Sequence, residues 1–244
     1  MLPKIDVPIY ETKLISTGKK IKFRPFTVKE EKLFLMAQET DDVETAINTV
    51  YQVINNCVLD KIDVTTLPVF DIENLFLNLR AKSVGEVVNL KYKCNNDVPK
   101  EEGEGTHKCG NVVEIDFNVL DVELPTLKKD ANNIKLTDKL GISMKYPSFN
   151  IIQKYEGKSD AETLLDIIIE CVDFIYDEDN VYYAKDASKE ELIDFFESLQ
   201  AKDLEKVKVF FDDMPKLTKK LEFKCKKCGY HEEIELEGIQ SFFA

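Results

Sequence analysis

Histidine is scarce in this chain of 244 residues, with only His107 and His231 present. Each lies in a polar stretch beside a cysteine, so a Ser-His-Asp arrangement has no evident base. There is no Gly-rich phosphate loop and no H-E-x-x-H pair, and nothing points to a small-molecule substrate. An enzyme is not expected. No apolar run approaches the roughly 20 residues that span a bilayer, and no membrane partner is expected. The opening MLPKIDVPIYETK lacks a charged segment leading into an apolar one, so the chain reads as cytosolic in origin. Positive charge is also in short supply: 33 Lys and Arg stand against 46 Asp and Glu, for a net charge of −13. Basic residues fall in pairs such as Lys19-Lys20, Lys128-Lys129 and Lys219-Lys220, not in stripes. Affinity for nucleic acid rests largely on cations neutralising phosphates, so nucleic acid is not an expected partner and protein surfaces are.

What is present is thiol. The six cysteines are Cys57, Cys94, Cys109, Cys171, Cys225 and Cys228. In a cytosolic chain long enough to bury its own core, close-spaced cysteines read as metal or redox sites before disulfides. Cys57 in VINNCVLD and Cys171 in LDIIIECVDF sit in apolar helical patterns and read as small buried hydrophobes.

The other four occur in two segments that echo each other. LKYKC (90–94) matches LEFKC (221–225), and CGNVVEIDF (109–117) matches CGYHEEIEL (228–236), sharing C-G-x-x-x-E-I-acid-apolar. Each copy is an alternating strand running into a cysteine, then a Cys-Gly turn, then a second alternating strand: a β-hairpin with two thiols at its tip. Cys225 and Cys228 enclose two residues, whereas Cys94 and Cys109 enclose fourteen. The extra stretch, NNDVPKEEGEGTHK, is polar with Gly and Pro and reads as an exposed loop extension, which costs little closure entropy.

The echo extends upstream. IKFRPFTVKEEKLFLMA (21–37) pairs with ISMKYPSFNIIQKYEG (142–157), each an alternating segment with a Pro before a helical pattern. DDVETAINTVYQVINNCVL (41–59) pairs with SDAETLLDIIIECVDFIY (159–176), both amphipathic at helical period, and FDIENLFLNLRAKSVG (70–85) with the longer 188–214. Capping boxes are expected at Thr27/Glu30, Asp41/Glu44, Ser159/Glu162 and Ser188/Glu191. The expected fold is therefore α+β: two similar halves, residues 1–120 and 142–244, each of helices followed by a cysteine-tipped antiparallel hairpin. Residues 121–141 would connect them, and the halves would pack as one unit.

Four thiolates suit a structural zinc ion, which closes tetrahedrally on sulfur, and a Cys-x-x-Cys-Gly turn presents two sulfurs to one ion. The expected ligands are Cys94, Cys109, Cys225 and Cys228, joining the halves in a zinc-ribbon-like junction. Rival readings are a redox Cys-x-x-Cys, which ordinarily sits at a helix N-terminus, and reduced thiols without metal. His107 or His231 could stand in for a thiol, although four sulfurs already complete a shell. The acidic YDEDN (176–180) lacks the alternating ligands of a calcium loop and reads as a solvated turn.

The stretch IDVPIYETKLISTGKKIKFRPFTVKEEKLFLMAQE (5–39), with FRPFTVKEEK at its centre, resembles the baseplate hub and hub-assembly proteins of T-even-type contractile-tailed bacteriophages, as does the closing CKKCGYHEEIELEGIQSFF. The resemblance covers essentially the whole chain and carries no catalytic residues with it. It implies a protein needed to assemble the baseplate hub through contacts with hub subunits, as a transient factor in the host cytoplasm or a minor part of the virion tail. The apolar C-terminal residues Ile239, Phe242 and Phe243 are candidate contacts, or a tail docked on the chain's own core. The competing function is a zinc-ribbon adaptor for nucleic acid or transcription machinery, against which the acidic balance counts.

Overall fold

The computed structural model describes residues 5–39, 43–100, 105–155 and 161–238. In chain order these comprise β1 (Tyr10–Lys13), β2 (Lys20–Phe23), α1 (Val28–Gln38), α2 (Val43–Cys57) and α3 (Val69–Ser83). Then come β3 (Val87–Lys93), β4 (Asp97–Pro99), β5 (Thr106–Lys108), β6 (Val112–Asn118), β7 (Asn133–Lys135) and β8 (Gly141–Met144). After them follow α4 (Phe149–Lys154), α5 (Ala161–Glu170), β9 (Val172–Tyr176), β10 (Val181–Tyr183), α6 (Lys189–Glu197), α7 (Ala201–Asp212), β11 (Thr218–Lys224) and β12 (His231–Glu237). The protein is mixed helix and sheet, and all the strand pairings among the described residues are antiparallel.

The chain divides into two compact units. One takes the residues up to Lys61, Glu73–Pro125 and those from Lys216 onward; the other takes Ile62–Ile72 and Thr126–Pro215. Compactness thus groups the chain along other lines than the sequence halves 1–120 and 142–244: β11 and β12 belong with β3 and β6.

In the first unit, β2 alternates exposed Lys20 and Lys22 with buried Ile21 and Phe23, the period-2 pattern of a half-buried strand. Arg24 then turns the chain into α1. Pro25 cannot continue the strand ladder, and Thr27 and Glu30 form the expected capping box. The Glu30 carboxylate is 1% exposed; it accepts from the Thr27 amide (2.9 Å), the Thr27 hydroxyl (2.7 Å) and the Arg24 guanidinium (2.9 Å). Arg24 also donates to the carbonyl of Asn56, and its amide to that of Cys57, tying the helix start to the end of α2. Burial alone would raise the Glu30 carboxyl, but the Arg24 and Thr27 donors override it and hold its pKa at about 2. In the part of α3 that belongs to this unit, Glu73 and Asn74 are buried alongside Leu75 and Leu77. Asn74 donates to the Lys13 carbonyl at 3.0 Å.

The remainder of the unit consists of two long ladders. β3 pairs with β6 from Val87↔Asn118 to Lys93↔Val112, and β11 pairs with β12 from Thr218↔Glu237 to Lys224↔His231. Inward residues alternate along them: Val88, Leu90 and Phe117 in the first, and Leu221, Phe223, Ile234 and Leu236 in the second, are buried. The Tyr92 and Phe223 rings meet at 6.1 Å. Beyond β6 the chain returns along the start of β11, where the Glu123 amide donates to the Thr218 carbonyl at 2.9 Å.

The second unit is built on a four-stranded sheet in the order β10-β9-β8-β7. Its core gathers Ile142 and Met144 from the sheet, Ile168 and Ile169 from α5, Leu192 and Phe196 from α6, and Val207 and Phe210 from α7. Cys171 is wholly buried in this core, as expected for a small hydrophobe, and Cys57 is wholly buried in the first unit. Burial pushes their thiols up to about 12 and about 11 respectively. Tyr146 lies between Phe70 and Phe210, with ring centroids at 5.2 and 5.1 Å.

Two expectations need correction. Residues 159–176 were expected to be one amphipathic helix; the helix ends at Glu170 and Val172–Tyr176 is strand β9. The run of Ile, Val, Phe and Tyr there suits either state by periodicity, and strands β8 and β10 supply the backbone partners that decide it. The stretch between Cys94 and Cys109 is not wholly loop, because β4 and β5 pair within it. Of the capping boxes, Thr27/Glu30 and Ser188/Glu191 form, while Asp41 and Ser159 lie outside the described residues.

Two outcomes follow from this packing. A Cβ at Gly141 would fall on the Tyr176 ring, which covers that position across the sheet. Gly141→Ala is expected to lower stability by about 1–3 kcal/mol, read by thermal unfolding, as overpacking does. Glu30 is ordinarily near 4.5 and is held at about 2, so its contribution is complete above 4.5 and is lost as pH falls towards 2. The stability gap between wild type and Glu30→Gln, measured by denaturant titration, should therefore shrink on acidification through that window.

A four-cysteine candidate metal centre

At the end of each long ladder the chain makes the same turn. The Cys94 amide donates to the Asn111 carbonyl at 2.8 Å and the Gly110 amide to the Cys94 carbonyl at 3.0 Å. In the other ladder the Cys225 amide donates to the Tyr230 carbonyl at 2.8 Å and the Gly229 amide to the Cys225 carbonyl at 2.9 Å. Gly110 and Gly229 have φ of +65° and +75°, the left-handed region that residues with a side chain adopt at a cost. The Gly after each second cysteine is thus required by the turn.

The unequal spacing has a local explanation. β4 and β5 form a small ladder from Asp97↔Lys108 to Pro99↔Thr106, closed at its base by the Cys109 amide on the Asn96 carbonyl at 2.8 Å. Asp97 and Lys108 add an exposed ion pair at 2.9 Å. Removing residues 97–108 from the count leaves Asn95 and Asn96 between Cys94 and Cys109, the same spacing as Lys226 and Lys227 between Cys225 and Cys228. The first turn is a Cys-x-x-Cys-Gly turn with an arm inserted in it.

The structure brings all four expected ligands together. The sulfurs of Cys94, Cys109, Cys225 and Cys228 lie within 4.8 Å of one another, with Cys94–Cys228 at 3.7 Å and Cys109–Cys225 at 3.8 Å. These separations are too long for disulfides, whose sulfurs sit about 2.05 Å apart. They suit a tetrahedral ion: four sulfurs about 2.3 Å from zinc stand about 3.8 Å from each other. Cys94, Cys109 and Cys225 are buried and Cys228 is partly exposed.

Amide donors ring the sulfurs. Asn96 directs its side-chain amide at Cys228 (3.7 Å) and Asn111 at Cys225 (3.5 Å), so each reaches from one turn to a sulfur of the other. The backbone amides of Cys228 and Lys227 favour the Cys225 thiolate and bring its pKa down to about 6. Burial, reinforced by the neighbouring thiols, pushes Cys94 up to about 12. One thiolate forms readily in this cluster; further ones repel it and each other. A cation between them relieves that repulsion, which is the chemistry a metal site supplies.

The histidines are elsewhere. His107 on β5 and His231 on β12 are exposed, and His231 stands 3.9 Å from Glu222. Asp177 in the YDEDN turn accepts from the amides of Asp179 and Asn180 and from the Tyr182 hydroxyl, so its carboxylate closes its own turn. Ile239, Phe242 and Phe243 lie outside the described residues. Asn96 and Asn111 did not stand out in the sequence. The signal for Asn96 was its place directly before Cys109 once the arm is set aside. No helix among the described residues is long and apolar enough to cross a membrane.

A family model described as T4 bacteriophage base plate protein matches residues 7–244. The chain belongs to that family, and a structural role in the phage tail follows from it. No match was found among curated proteins or among solved structures.

Proposed function

We propose that this base plate family member helps to build the central hub of the baseplate, acting through protein contacts with hub subunits and not by catalysis. The observation that carries the reading is the family match over nearly the whole chain. The acidic surface and the absence of a basic stripe agree with protein partners over nucleic acid. It would act in the host cytoplasm as an assembly factor, or remain in the tail as a minor part. The C-terminal Ile239, Phe242 and Phe243 stay the candidate contact residues.

Within that role the four cysteines hold a structural zinc ion. The fit rests on the donor set: four converging sulfurs, two of their separations matching the edge of a zinc–thiolate tetrahedron. Such a shell is closed and leaves no coordination position for a reacting molecule. Bound there, the ion would neutralise the crowded thiolates and fasten segments that are 116 and 134 residues apart in the chain. The protein's own part is to present the sulfurs from two rigid ladder ends and to direct amides at them. The shared pattern of backbone bonds at both turns also supports the proposed duplication of a helix-and-hairpin unit.

Native mass spectrometry of protein purified without chelator should find one zinc per chain, lost in both Cys94→Ser and Cys225→Ser together with much of the stability. Loss of a zinc-finger-type site removes folding free energy outright. Retention of zinc in either variant would refute the shared site. For the tail role, quantitative mass spectrometry of purified virions separates the two modes: integral copies per particle identify a resident part, and absence from virions whose assembly needs the protein identifies a transient factor. Normal baseplates formed without the protein would overturn the reading.

A further inference from the structure

We infer that Cys228 is a modification site, the sulfur at which a two-electron oxidant of the peroxide class enters the four-cysteine centre, with Cys94 as its resolving partner. The inference rests on the zinc reading above and assigns a chemical order to the four ligands.

Exposure distinguishes them first. Cys94, Cys109 and Cys225 are 1%, 5% and 0% exposed, while Cys228 is partly open to solvent. Hydrogen bonding distinguishes them again. Cys225 accepts from the backbone amides of Lys227 and Cys228 and from the Asn111 side chain. Cys94 and Cys109 each accept a backbone amide, from Asn96 and Asn111 respectively. Cys228 is met by the Asn96 side-chain amide at 3.7 Å, a long contact. Amide donors draw charge from a sulfur and weaken it as a nucleophile, and oxidation also follows access. Cys228 is the most accessible of the four and is met by the long Asn96 contact. Its near neighbour is Cys94 at 3.7 Å, whereas Cys109 and Cys225 face each other in the buried part of the cluster at 3.8 Å.

The chemistry balances with a peroxide alone. The Cys228 thiolate attacks a peroxide oxygen; an S–O bond forms as the O–O bond breaks, giving a sulfenic acid and hydroxide. The Cys94 thiolate then attacks that sulfur, forming the S–S bond and expelling the second hydroxide. Two electrons pass from the two sulfurs to the peroxide. Cys109 and Cys225 alone cannot complete a four-coordinate shell, so the ion is released. The two ladder ends stay joined, now by a disulfide.

The experiment treats full-length zinc-loaded protein with hydrogen peroxide at one equivalent. Released zinc is followed with a chromogenic chelator, free thiols are blocked with iodoacetamide, and the cysteines are mapped by mass spectrometry. The expected result is a Cys94–Cys228 disulfide formed in step with loss of the ion, with Cys109 and Cys225 recovered as alkylated thiols. Zinc release should also be faster in Asn96→Ala than in Asn95→Ala, the exposed neighbour in the same turn. Oxidation spread evenly over the four, a Cys109–Cys225 disulfide formed first, or equal rates in the two variants would overturn the inference while leaving the zinc site intact. Absence of zinc from the untreated protein would instead refute the zinc reading, and this inference with it.

Discussion

The meeting of four sulfurs at the ends of two β-ladders is the constraint on which the rest of the first unit depends. Three of those thiols are buried, and all four lie within 4.8 Å of one another. Such crowding is sustained only because each ladder presents its pair from the same rigid turn, closed by the same two backbone bonds and the same left-handed glycine. Leu90, Phe117, Leu221, Phe223 and Ile234 are buried along the ladders, the Tyr92 and Phe223 rings meet between them, and the Glu123–Thr218 bridge joins the chain beyond β6 to the start of β11. The apolar faces and the sulfurs thus lie on one structure: the faces are buried along the ladders, and the four sulfurs gather at their ends.

That arrangement accounts for the tolerance of an insertion. A ladder of three pairs such as β4–β5 is marginal on its own in water. It leaves the turn undisturbed because its base is closed by the Cys109–Asn96 bond, which returns the chain to the point it left. The described arm residues are mostly exposed, so the core gives nothing up by carrying it. The second unit has its own apolar core under a four-stranded sheet and contains none of the four clustered cysteines.

Much was legible in the sequence where the physics is local. Alternation in LKYKC and LEFKC marked strands because side chains on a pleated strand point to opposite faces. Thr27/Glu30 and Ser188/Glu191 marked helix starts because a capping box satisfies orphan amides within four residues. The Cys-Gly pairs marked turns because glycine alone takes positive φ freely. FRPFTVKEEK carried the family resemblance, and in the structure the same residues knit Arg24, Thr27 and Glu30 into the start of α1.

What the tertiary structure decided is what depends on distant partners. Val172–Tyr176 became a strand since β8 and β10 flank it, a fact that no periodicity within the segment records. Glu30 could be buried only with Arg24 placed against it, and the amides of Asn96 and Asn111 acquired a role only when the second turn came within reach. The grouping of β11 and β12 with β3 and β6 likewise follows from packing across more than a hundred residues of chain. The sequence by itself determined the thiols, their turns and the alternation that carries them. Their convergence to 3.7 and 3.8 Å belongs to the fold, because two ladders fix the distance between their tips only after their apolar faces have met.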